Sequence, residues 1–100
     1  MAVKVFIKRN VKKGKTEAAL TLLNEVRSHA LKQPGYISGE TLVNHYDPCN
    51  ITVVSTWQTI EDWIRWQESD ARATKEDQLE SLQAGPTNFE IFDLGMVSKD

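Results

Sequence analysis

All three tryptophans of the chain, Trp57, Trp63 and Trp66, fall within the ten residues "WQTIEDWIRW". Large rings gathered this closely either fill a core or wall a slot for a flat, apolar ligand. A second grouping is His45, Asp47 and Cys49, whose types are those of metal ligands. A stable centre needs more ligands at fixed geometry, and no CxxC or HxxxH spacing accompanies these three. No metal is expected there; the residues read as a solvated hairpin tip. His29 reads as a partly exposed helix residue, and no Ser/His/Asp arrangement suggests itself. Neither GxGxxG nor GxxxxGK[ST] occurs, which argues against those phosphate-binding loops. Two catalytic candidates remain. His45 is the one group near a strand end that titrates near neutral pH, and Arg72, within two turns of Trp66, has the charge to steady a developing anion.

Such residues need a scaffold, and the scaffold is readable. One hundred residues with 40% hydrophobic and 26% charged side chains, three prolines and five glycines suit one ordered domain spanning 1–100. The single cysteine excludes an internal disulfide and suggests a reducing, cytoplasmic setting. No apolar run has the length of a signal peptide core or a membrane span, so no membrane association is expected. Residues 1–15 hold six basic and no acidic side chains, and the remainder carries six basic and fourteen acidic ones. The basic segment lacks interleaved aromatics for stacking bases, Phe6 apart, so no nucleic-acid partner is expected.

In "VKVFIK", Val3, Val5 and Ile7 alternate with Lys4, Phe6 and Lys8, the pattern of a strand. From Thr16 to Lys32, Ala19, Leu20, Leu23, Val26, Ala30 and Leu31 recur at three- and four-residue steps, which predicts an amphipathic helix ending at "QPG". "YISGETLVNHY" and "ITVVSTW", joined through "DPCN", predict an antiparallel hairpin. "TIEDWIRWQESDARA" predicts a second helix capped by Thr59, and "TKEDQLESLQA" a continuation or a separate short one. "NFEIFDLGMV" closes the chain as a strand. The order β-α-β-β-α-β predicts an α+β, ferredoxin-like fold, a four-stranded antiparallel sheet with helices on one face.

Helices on one face leave the other to water, yet both carry apolar residues: Val5 and Phe6, Leu42 and Val43, Val53 and Val54, Ile91 and Phe92. A second copy packed sheet against sheet is the simplest cover, so a homodimer is expected. In the second helix, Ile60, Trp63, Ile64 and Gln67, followed by Ala71, share a stripe. Trp63 is then a core residue and Trp57 a plug at the sheet–helix corner. Trp66 lies at the stripe's border, where it covers the core edge or walls a cleft.

The opening "VKVFIKRNVKKGK", the join "QPGYISGE", the passage "STWQTIEDWIRWQESD" and the ending "FEIFDLG" together resemble the antibiotic biosynthesis monooxygenase superfamily, small dimeric α/β barrels. The resemblance implies a cleft between the sheet and the second helix. Some members there oxidise phenols or quinols with O2 and no cofactor, and others hold haem or small signalling molecules. It implies an activity of that cofactor-independent kind on an aromatic small molecule; a non-catalytic ligand-binding dimer is the alternative. The haem-degrading branch is similar at Trp66, Ser69 and Asp70. Its iron-binding histidine falls at Glu76 here, and its first-strand asparagine at Ile7, so haem degradation by that arrangement is not expected. Trp66 and Ile7 are the positions that the resemblance places against a ligand.

Overall fold

The computed structural model describes residues 1–95 of the chain. Its elements are β1 (Val3–Asn10), α1 (Thr16–Ala30), β2 (Tyr36–Val43), β3 (Asn50–Trp57), α2 (Ile60–Gln67), α3 (Asp70–Ser81) and β4 (Asn88–Asp93). The strands form one antiparallel sheet in the order β2-β3-β1-β4. This is the ferredoxin-like α+β arrangement expected, with the second helical segment divided in two.

Register follows from alternation. Val3, Val5, Ile7 and Arg9 of β1 pair with Trp57, Ser55, Val53 and Ile51 of β3. These residues share the helix-covered face, because side chains two apart on a strand point the same way. In β2 the register shifts between Tyr36 and Ser38. A bulge of this kind re-aims a side chain, and here Tyr36 stands against Trp57, their rings meeting edge-on at 5.2 Å.

Helix α1 buries Ala19, Leu23 and Ala30. It stops before Leu31, which is 58% exposed rather than part of the apolar stripe. The hairpin strands are shorter than expected, since β2 ends at Val43 and leaves His45 and Tyr46 in the loop. There the Asn44 side chain accepts the amides of Tyr46 and Asp47, which folds the tip without sheet pairing. Of the predicted last strand, Met96 and Val97 lie outside the described residues.

The break between α2 and α3 has a local cause. Thr59 caps α2 by accepting from the Asp62 amide at 3.1 Å, as anticipated. Ser69 is extended and caps α3, its hydroxyl donating to the Trp66 carbonyl at 2.8 Å and accepting from the Arg72 amide at 3.3 Å. A serine followed by an acid at the first helical position is a start signal. The restart changes the helical phase, so Ala71 does not continue the stripe of Trp63, and both Ile64 and Ala71 are exposed. Among the described residues, no helix is long and apolar enough to cross a membrane.

Candidate active site

Between the inner face of the sheet and the helices lies a cleft holding about 520 Å³ of space, including the solvent at its mouth. All three tryptophans line it. Trp57 and Trp66 lie nearly parallel, 25° apart, with ring centres at 6.5 Å, and Trp63 meets Trp57 obliquely at 6.0 Å. The rings are at most 3% exposed, so all three belong to the core that backs the cleft. Trp57 and Trp63 are core residues as expected, and Trp66 is nearly as buried as they are.

Two further groups fix the aromatic wall. The Trp57 indole N–H donates to the Ser55 hydroxyl at 3.0 Å, satisfying a buried donor that would otherwise be costly. On β2, a Cβ added to Gly39 would come within 2.5 Å of the Tyr36 hydroxyl. Glycine at this position lets the Tyr36 ring lie along the sheet and face the cleft.

The sequence-derived candidates separate cleanly. Trp66, Ile7 and Arg72 line the cleft. His45 is exposed at the hairpin tip, edge-on to Tyr46 at 4.9 Å and outside the lining. His29 is exposed on α1 and also outside it. Among the described residues, no group of three or more His, Cys, Asp or Glu is disposed to hold a metal ion.

Of the charged part of the site, Arg72 was a sequence candidate, whereas Arg9 and its pairing with Glu76 were missed. Arg9 is only 3% exposed, lines the cleft, and donates from Nη2 to Glu76 Oε1 at 2.8 Å. Arg72, 6% exposed, places Nη2 3.3 Å from the same oxygen. That is close enough for charge pairing but misaligned for a hydrogen bond, and the Arg72 nitrogen has no hydrogen-bond partner among the described residues. The Arg72 guanidinium stacks over Trp63 and Phe89 at 5.5 and 5.9 Å. Burial pushes its pKa down from the ordinary value; Glu76 opposes that shift and Arg9 adds to it. One signal was present for Arg9. It continues the inward register Val3, Val5, Ile7, where a charged residue calls for a partner.

The arrangement is a flat aromatic slot bordered by two guanidiniums that share one carboxylate. It can stack a planar ring system and stabilise negative charge upon it.

The fold recurs in solved structures. A conserved protein from Methanosarcina mazei is 21% identical over 92% of this chain and 91% of its own, with a TM-score of 0.87. A Nitrosomonas europaea protein assigned to antibiotic biosynthesis monooxygenase is 21% identical over 91% of this chain and 88% of its own, at 0.86. SnoaB, a cofactor-independent oxygenase from Streptomyces nogalater, is 13% identical over 95% and 94%, at 0.85. At these identities the likeness establishes the fold alone. A comparison with curated proteins gives no match. The sequence model described as antibiotic biosynthesis monooxygenase matches residues 2–76, from β1 through the tryptophan helix to Glu76, and the chain belongs to that family.

Proposed function

We propose that the protein is a cofactor-independent monooxygenase that oxidises a planar phenolic or quinol-like molecule in the tryptophan cleft. The observation that carries this reading is the joining of a three-tryptophan slot to the buried guanidinium of Arg72 in this family's fold. An electron-rich phenol becomes a far better electron donor to O2 once it is an anion, and a buried positive charge favours that anion. For a hydroxynaphthalene the balance is one phenol plus O2 giving one naphthoquinone plus water. Trp66 and Ile7 would hold the ring, and Arg72 the developing oxyanion. The phenolic proton leaves towards the open mouth of the cleft.

A binding module without chemistry is the second reading. It is favoured by one observation: His29 and His45, the chain's two histidines, both lie outside the cleft. Oxygen-electrode assays with hydroxylated naphthalenes and anthracenes separate the two. Oxygen uptake matched by quinone formation, and lost in Arg72→Met, is the expected result. Saturable binding without oxygen uptake would sink the oxygenase.

The reading includes a homodimer through the uncovered sheet face. On that face Phe6 meets Phe92 edge-on at 5.5 Å, Phe92 is 51% exposed, and Leu42 is 48% exposed. Apolar side chains grouped this way support burial against a second copy. Sedimentation equilibrium at micromolar concentration should give twice the chain mass, and Phe92→Glu should halve it.

A further inference from the structure

We propose that Arg9 and Arg72 form an anion-recognition subsite in the cleft wall, fitted to the carboxylate of a planar aromatic monocarboxylic acid. The proposal deepens the reading of the cleft as a ligand site and rests on it, but does not depend on oxygen chemistry.

Placement is the first argument. Both arginines line the cleft, whereas Glu76, which neutralises them, is not part of the lining. Its oxygen Oε1 takes Arg9 at 2.8 Å and stands 3.3 Å from Arg72. One carboxylate thus serves two guanidiniums from outside the cavity, leaving about one positive charge uncompensated towards it. The cleft's other charged lining residues, Arg27 and Glu40, are exposed and of opposite sign.

The second argument is unsatisfied donors. Arg9 Nε, Arg72 Nη2 and Glu76 Oε2 are buried and have no hydrogen-bond partner among the described residues, Arg72 Nη2 standing 3.3 Å from Glu76 Oε1. A guanidinium removed from water and left with idle donors is costly, so a ligand that supplies acceptors gains what the apo protein lacks.

The shape of these donors selects the anion. Guanidinium edges match the two coplanar oxygens of a carboxylate. A single excess charge suits a monoanion better than a phosphate dianion. Arg72 is held by its stacking on Trp63 and Phe89, so the donors are oriented before the ligand arrives and little side-chain freedom is lost on binding. The attached ring then lies against the apolar and aromatic side chains of the cleft lining.

The test uses 2-naphthoate and its neutral isostere 2-naphthamide, neither of which carries a hydroxyl to oxidise. Calorimetric titration should show naphthoate binding about tenfold or more tightly, the scale of one charge-assisted hydrogen bond. Arg9→Met and Arg72→Met, each checked for a cooperative melt, should reduce that preference below about threefold. Equal affinities in the unaltered protein, or a preference kept by both folded variants, would show the arginine pair to be structural only and overturn the proposal. Should the variants not fold, the wild-type pair of ligands decides. Binding of neither compound overturns the subsite together with the cleft reading. Naphthoate preference without oxygen uptake from hydroxynaphthalenes leaves the subsite standing and removes the oxygenase; uptake with equal affinities does the reverse.

Discussion

The core has two halves of different build. One gathers Val11, Ala19, Leu23, Ile51 and Leu79 beneath α1 and α3, aliphatic side chains that interdigitate. The other gathers Val3, Val5, Ile7 and Ala30 with the three tryptophans. Branched aliphatics fill gaps between neighbours, while rigid indoles set on a sheet and a short helix cannot close every space between them. The second half contains most of the cleft wall. The lesson is that one small interior divides into an aliphatic and an aromatic half, with Arg9, Arg72 and Glu76 alongside the aromatic one.

This division can be challenged by substitution. Leu79→Ala, in the aliphatic half and fully buried, should cost about 3–4 kcal/mol of stability by removing methyl groups and leaving a cavity. Chemical denaturation measures it, and naphthalene-type ligands should bind the folded variant as before. A comparable loss of binding would mean the halves are not independent. Glu76→Leu strips two buried guanidiniums of their shared carboxylate and should cost about 2–4 kcal/mol, moderated by water entering the cleft. Added 2-naphthoate should raise the melting temperature of this variant more than that of the unaltered protein, because it restores a counter-charge.

Trp66→Phe should have a smaller effect on folding, about 1–2 kcal/mol, since a ring of the same character remains. Its ligand affinity should fall by more than its stability suggests. A variant that loses stability but binds ligand normally would make Trp66 a core residue alone. The smallest effect concerns Asp62, at the start of α2. Hydrogen bonds from Arg65 and Thr59, first the one and then the other, hold its carboxyl below the ordinary carboxylate value. A lowered folded pKa contributes stability that is present above the unfolded value and is lost as pH falls through the folded one. Denaturation curves taken downward from about pH 5 should therefore decline less steeply for Asp62→Asn than for the unaltered chain.

Much of this could be read beforehand, and the exceptions share a cause. The alternation of Val3, Val5 and Ile7 gave β1 its faces, Thr59 capped its helix, and Trp66 and Arg72 met at the cleft. These are local patterns, visible within one turn or one strand. Arg9 and Glu76 are 67 residues apart in sequence and meet only after β1 and α3 pack together. Their pairing has no short-range signature. Ala71 was misplaced because one helical period was drawn across Ser69, where the phase starts afresh, and Ile64 because the buried face of α2 runs through Trp63 and Trp66 instead. His45 followed from pKa alone, without knowledge that β2 would end at Val43 and leave the ring in solvent.

The joint at Ser69 has a consequence for how this interior is assembled. The tryptophan wall stands on α2 and the charged partners Arg72 and Glu76 on α3, and one hydroxyl links the two helices end to end. Each helix carries its own capping residue, so neither depends on the other's length or composition to begin. The two helices thus begin independently while their side chains stay coupled, because Arg72 of α3 stacks over Trp63 of α2.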